Sequence, residues 1–293
     1  MIQELVDYCK TQYERESCNV PCIDQSRTSC TDCLKEIHFD RESARKYDCI
    51  KMCYWYVCQD IYRYATEMLW LFHEKGLSLK TRQNPLRICS IGCGPCSELV
   101  AFEEYYKNKD LPFEFSYTGF DTNIIWNPIQ EYIGTLSSYP NNVSFYHKDV
   151  FDYYAKVVER PNVIILNYML SDMLKYGKDA LVSFLKKLGD FVETLPSCAL
   201  LINDINLGLN DSQPRFYYGS IVNMVKNKSK GHKVSVSCSH FGNSKKDYYR
   251  YGAERVRSDI LFKVPEEIST KFVTNTECHS AQLLIIKYKE DIK

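Results

Sequence analysis

The chain has 293 residues, with 37 Lys and Arg against 37 Asp and Glu. Zero net charge argues against a protein that coats nucleic acid along its whole length and leaves room for a local basic patch at most. The length supports one large domain or two smaller ones. No apolar run approaches the roughly 18 residues of a membrane span. The N-terminal stretch MIQELVDYCKTQYERE is acidic, with no apolar core and no small-residue cleavage site, so a reducing cytoplasm is the expected compartment.

Eight of the 14 cysteines, Cys9, Cys18, Cys22, Cys30, Cys33, Cys49, Cys53 and Cys58, crowd the N-terminal part of the chain. In a reducing compartment such crowding favours metal over disulfides. Cys30-Thr-Asp-Cys33 reads as a tight knuckle that sets two thiolates on one ion, and Cys49 and Cys53 share one helix face behind Asp48 as N-cap. Knuckle, hairpin-like LKEIHFDRES and helix together resemble a treble-clef zinc finger. The resemblance implies a structural zinc on Cys30, Cys33, Cys49 and Cys53. Three residues separate Cys49 from Cys53, where that fold usually has two. Cys18, Cys22, Cys30 and Cys33 form an alternative set, with His38 as a spare ligand and room for a second ion.

The stretch from Asp48 to Gly76 carries apolar and aromatic residues at three- and four-residue steps, which predicts one long helix stopped at Gly76. Its aromatics, Tyr54, Trp55, Tyr56, Tyr62, Tyr64 and Trp70, are expected to form a buried seam between domains or a face for a protein partner. The polar connector LSLKTRQNP then divides the chain into a Cys-rich zinc-binding and helical module, residues 1–84, and a second domain, residues 85–293.

After Pro85, short apolar runs read as strands at 86–91, 113–120, 143–147, 162–167, 198–204, 233–241, 259–264 and 281–289. Helical patterns such as SELVAFEEYYKN and DALVSFLKKLGDFVETL fill several of the gaps. The alternation implies an α/β domain with a mainly parallel sheet covered on both faces.

The stretch ICSIGCGPCSELVAF has two readings. Cys93-Gly-Pro-Cys96 is the thioredoxin redox motif letter for letter, but Gly92 stands where thioredoxins carry Trp, and the domain is far too long. Gly92-x-Gly94 between strand and helix instead makes a turn that lets backbone approach a ligand beside free helix N–H groups. Asp121 closes the second strand, where a carboxylate can accept both hydroxyls of a ribose. Asp149 closes the third. The trio resembles class I S-adenosylmethionine-dependent methyltransferases over residues 86 to about 289.

That resemblance implies a Rossmann-like, seven-stranded sheet in which DILFKV and AQLLIIKYK supply the closing antiparallel hairpin. Ser90, Gly92, Cys93 and Gly94 would lie under the methionine part of the cofactor. Asp121 would bind the ribose, Asp149 the adenine amino group with Val150 beside the ring, and Asn167 would face the methionine end. On the substrate side stand Tyr168 and Asp172 as catalytic candidates, with His240 a further one. The chain departs from the family at Ser90, usually acidic, and at Cys96, usually glycine. Asn167-Tyr168-Met169-Leu170 replaces the Asn/Asp-Pro-Pro-aromatic motif of amino-methylating branches, which argues against an exocyclic amine of adenine or cytosine.

The expected activity is therefore S-adenosylmethionine-dependent methyl transfer to a macromolecule positioned by the zinc module. Zinc modules ahead of such domains resemble the arrangement in some ribosomal RNA methyltransferases. From Ile205 to Ile260 there are ten Lys and Arg against four Asp and Glu, with tyrosines interleaved in KKDYYRYGAERVR. Cations for phosphates and rings for unpaired bases suit RNA, ahead of protein or a small molecule. The alternative is a methyltransferase-like scaffold that binds cofactor and a protein partner without catalysis.

Overall fold

The computed structural model describes residues 1–18, 29–39, 46–75, 85–109, 114–175, 177–205, 208–210, 213–242, 252–255 and 259–289. Three helices come first: α1 (Ile2–Arg15), α2 (Cys30–Phe39) and α3 (Ile50–Lys75). An alternating series follows: β1 (Leu86–Ile91), α4 (Ser97–Lys109), β2 (Phe115–Phe120), α5 (Asn127–Leu136), β3 (Val143–Tyr146), α6 (Val150–Tyr154), β4 (Val163–Asn167), α7 (Met169–Lys175), α8 (Lys178–Thr194) and β5 (Cys198–Asp204). Then come a small ribbon of β6 (Gly208–Asn210) and β7 (Gln213–Phe216), α9 (Tyr217–Lys228), β8 (Lys233–Phe241), β9 (Ala253–Arg255), α10 (Glu266–Phe272) and β10 (Ala281–Tyr288). Among the described residues no helix is long and apolar enough to cross a membrane.

The main sheet runs β3-β2-β1-β4-β5-β10-β8-β9. Strands β1 to β5 are mutually parallel, β10 is antiparallel to both β5 and β8, and β9 pairs parallel to β8. This is an α/β fold with a Rossmann-like mixed sheet of eight strands, one more than the seven expected, the last being the short edge strand β9. The central strands β4 and β5 read as continuous apolar runs because helices cover both their faces. Alternate residues feed two cores. Ile88, Val163, Ile165 and Leu201 pack with α3, α4 and α5, while Cys89, Ile164, Leu166, Leu200 and Ile202 pack with α8 and α9.

The long helix α3 belongs to the first of these cores. Phe72 meets Phe102 of α4 edge-on at 5.7 Å, and α1 covers α3 with Leu5, Val6 and Cys9. Trp55 packs against Phe272 of α10 at 4.9 Å and Tyr13 of α1 at 5.2 Å. The charged groups of α3 that are buried find partners, whereas Arg63 Nε and the indole nitrogens of Trp55 and Trp70 are buried without one among the described residues. Arg63 Nη2 donates to Asp60 at 2.6 Å, and Glu67 accepts from the Asn203 side chain at 2.9 Å and the His279 amide at 3.0 Å. Burying an unpaired charge there would cost several kcal/mol, so the pairing is a condition of the packing.

Two expectations are corrected. Residues 259–264 form no strand; Asp259 makes only an isolated bridge to Glu277. Ile260, Phe262 and Val264 instead pack against the first core, and Leu261 N–H donates to Thr66 Oγ1 of α3 at 3.0 Å. The place beside β10 goes to β8, which pairs along eight residues in register. The second correction concerns zinc. Cys30-Thr-Asp-Cys33 is the first turn of α2 and the helix runs on to Phe39, so the described residues hold a helix where the knuckle and the start of the hairpin were expected. Cys30, Cys33, Cys49 and Cys53 are buried, and desolvation pushes the Cys30 thiol up to about 12 and Cys53 well above the usual range. The alternative ligand His38 lies with Nε2 at 2.8 Å from the Tyr47 hydroxyl, and Cys22 falls outside the described residues. Among the described residues no group of three or more His, Cys, Asp and Glu could hold a metal ion.

Candidate functional site

The turn after β1 is held by its own backbone. The N–H groups of Gly92 and Cys93 both donate to Phe120 O, at 2.8 and 3.1 Å. Gly92 has φ +66°, and a Cβ there would come 2.6 Å from Met169 Cγ. Gly94, at φ +45°, donates its N–H to Asp121 Oδ2 at 2.9 Å and accepts from Gln130 Nε2 at 2.9 Å. Cys96 stands where the resembling family has a third glycine, and it adopts the glycine-like conformation, φ +56°. A side chain in that region costs roughly 1–2 kcal/mol. The Cys96 N–H bond to Cys93 O, 2.7 Å, helps hold it there. Burial pushes both thiols of the Cys93/Cys96 pair up. Redox attack needs a thiolate, so the pair lacks the activation of a thioredoxin site.

A cavity of about 1000 Å³ lies at the carboxyl ends of β1, β2 and β4. Strand β1 sits where the strand order reverses, between β2 and β4, the place at which open α/β sheets bind ligands. Gly92, Cys93, Gly94, Asp121, Asp149, Val150 and Asn167 all line the cavity. Ser90 does not, but it leads to a residue that the sequence reading missed. Its Oγ donates to Glu98 Oε1 at 2.6 Å, and Tyr117 donates to the same oxygen at 2.6 Å. Glu98 lies in the first turn of α4, is only 1% exposed and lines the cavity. Burial raises its pKa, against the pull of those two hydroxyls. An acid near the start of α4 was visible in the sequence, but nothing in the spacing ties position 98 to position 90.

Asp121 accepts the Gly94 N–H on one oxygen and the Asn123 N–H, at 2.8 Å, on the other. A carboxylate has about four acceptor sites, so both oxygens keep capacity for a ligand. Burial pushes its pKa up while these amides pull it down. Asp149 caps α6 through the Phe151 and Asp152 amides, 2.7 and 3.3 Å, and meets Lys187 at 3.3 Å. Partial burial works to raise this carboxyl, but those partners prevail and hold it below the usual range. Val150, buried, and Ile124, 70% exposed, both line the cavity near these acids.

At the other side Asn167 Nδ2 donates to Ser97 Oγ at 2.9 Å, and Asn167 Oδ1 accepts from Asn203 at 2.9 Å. Tyr168 has φ +54°, a left-handed backbone that marks a locally strained position. Its ring lines the cavity, while its hydroxyl is buried with no hydrogen-bond partner. Burial and the nearby Glu67 carboxylate push this phenol well up. Asp204 holds the turn from below, accepting the Leu170 and Ser171 amides at 3.0 and 3.1 Å. Asp172 lines the cavity; His240 lies in β8, outside its wall. The N-terminal part of the chain completes the wall with Tyr47, Tyr56 and Tyr64. Asn123 Nδ2 donates to Tyr47 O at 2.6 Å, which ties that segment to the loop after β2.

The chain matches no known protein family model, and no curated protein matches it. Solved structures resemble it in shape. An O-methyltransferase family protein from Burkholderia thailandensis is similar at a TM-score of 0.48 and 11% identity, over 98% of this chain and 72% of its own. A plantazolicin methyltransferase in complex with SAH is similar at a TM-score of 0.44 and 12% identity, over 99% and 100% of the two chains. A precorrin-6y C5,15-methyltransferase from Geobacter metallireducens is similar at a TM-score of 0.41 and 14% identity, over 77% and 88%.

Proposed function

We propose that the protein is an S-adenosylmethionine-dependent methyltransferase with its cofactor along the carboxyl ends of β1, β2 and β4. The observation that carries this reading is the set of three carboxylates, Glu98, Asp121 and Asp149, lining one cavity around the glycine turn. Asp121 has acceptors for two ribose hydroxyls. Asp149 with Val150 suits an adenine edge and face. Glu98 takes over the acidic role that Ser90 cannot fill, offering a buried charge to the amino group of the methionine part. The neutral Ser90 hydroxyl then serves as the donor that orients it. When bound, S-adenosylmethionine supplies a methyl group made electrophilic by its sulfonium sulfur, so orientation of the acceptor provides much of the rate.

The residues on the acceptor side position and exclude water. Tyr47, Tyr56, Tyr64 and Tyr168 wall the cavity, and Asp172 offers a carboxylate that can take a proton from the nucleophile. This wall favours an acceptor small enough to sit inside it over an RNA. The tyrosine-interleaved part of the basic stretch that motivated RNA, residues 245–257, falls largely outside the described residues, and Lys228 earlier in the stretch is bound to Asp190 and Glu193 at 2.7 and 2.8 Å. Dinucleotide enzymes also place an acid at the end of the second strand. Thermal melting with S-adenosylhomocysteine and with NAD separates the two. S-adenosylhomocysteine should raise the melting temperature and NAD leave it unchanged; the reverse result would overturn the reading.

A further inference from the structure

We propose that the acceptor half of this cavity is a binding subsite for an organic cation, an amine or ammonium group carried on a small molecule. The inference rests on the methyltransferase reading above, which makes this half of the cavity the acceptor's place. Five rings line it. Tyr47, Tyr56 and Trp126 form a triangle with centroids 5.5, 5.3 and 5.8 Å apart. Tyr64 continues the wall 5.8 Å from Tyr56, and Tyr168 lies 4.2 Å from Tyr64. The negative face of an aromatic ring attracts a cation within about 6 Å, most strongly when the pair is shielded from water, and several rings around one site are the recurring receptor for alkylammonium groups.

The chain itself already uses two of these rings in this way. The Arg63 guanidinium lies 4.6 Å from the Tyr64 centroid and 5.8 Å from the Tyr168 centroid. Arg63 is bound to Asp60 and is not part of the cavity wall.

Charge points the same way. Burial pushes the phenols of Tyr47, Tyr56 and Tyr64 well up, and the Asp172 carboxylate adds to each shift. The rings therefore stay neutral at physiological pH, and Asp172 lies close enough for its field to reach all three. Asp48 also lines this end, with Lys46 at the exposed lip. A neutral aromatic wall with a carboxylate beside it suits a cation and disfavours a carboxylate or phosphate acceptor.

Calorimetric titration with phenyltrimethylammonium, and with tert-butylbenzene as its neutral isostere, tests the subsite without requiring turnover. Both probes are run on the protein with and without saturating S-adenosylhomocysteine. The cation should bind about tenfold more tightly than the isostere. Tyr56→Leu and Asp172→Asn should each weaken the cation about fivefold, while Tyr56→Phe, which keeps the ring, changes it less than about twofold. Equal affinity for the two probes, no binding of the cation by protein that binds S-adenosylhomocysteine, or indifference to Asp172→Asn would overturn the proposal. Cation binding by protein that does not take S-adenosylhomocysteine would uphold the subsite and remove the cofactor reading instead.

Discussion

Ser90 Oγ donates to Glu98 Oε1 at 2.6 Å, bridging the carboxyl end of β1 and the first turn of α4 beside the cavity. The bond relocates an acid. Where the resembling family carries a carboxylate on the strand, this chain carries a hydroxyl, and the carboxylate arrives from the helix. Glu98→Gln keeps shape and both accepted bonds but removes the charge. Its S-adenosylhomocysteine affinity should fall at least about tenfold, as for a lost charge-assisted bond, with the melting temperature unchanged or higher. Unchanged affinity in the calorimeter would reduce Glu98 to a structural bond.

Gly92 tests whether the turn is required for its shape. Alanine there must adopt φ +66° and bring its Cβ 2.6 Å from Met169 Cγ. Gly92→Ala should cost about 2 kcal/mol or more in denaturant unfolding, from steric overlap and backbone strain together. Adding Met169→Ala should recover the steric part only, so the double-mutant cycle should show coupling between the two sites. Strict additivity would place the whole effect in the backbone.

Asp204 sets a pH dependence. Burial pushes its carboxyl from 3.8 up to about 6. The folded state therefore binds this proton more tightly than the unfolded chain. The stabilisation is fully present below the unfolded value and is lost as pH rises through about 6. A rise of that size corresponds to at most about 3 kcal/mol. Asp204→Asn abolishes the titration, so the variant's melting temperature should climb relative to the parent between pH 4 and pH 7. A constant difference across that range would mean that Asp204 ionises normally.

The contrast between these residues shows what a sequence carries. Gly92, Gly94 and Asp121 were legible because a tight turn and a strand end impose local constraints, and the bond from Gly94 to Asp121 follows from adjacent parallel strands. Glu98 was not, since its partner Ser90 depends on the angle at which α4 leaves the turn. Cys30 and Cys33 misled because two residues three apart suit a metal knuckle and a helix turn equally; the chain continues as helix to Phe39. The strand expected at 259–264 failed because apolar residues before Pro265 were needed against α3, while β8 offered the longer register to β10. Tyr47 and Trp126, from distant parts of the chain, meet at 5.3 Å, with the Asn123 bond to Tyr47 O tying the two segments together.

The most direct test of the account is calorimetric titration of the protein with S-adenosylmethionine and S-adenosylhomocysteine, with Asp121→Ala as the control. One site per chain is expected for both ligands, weakened at least about tenfold in the control by loss of the ribose acceptors. Failure of the parent protein to bind either ligand would contradict it.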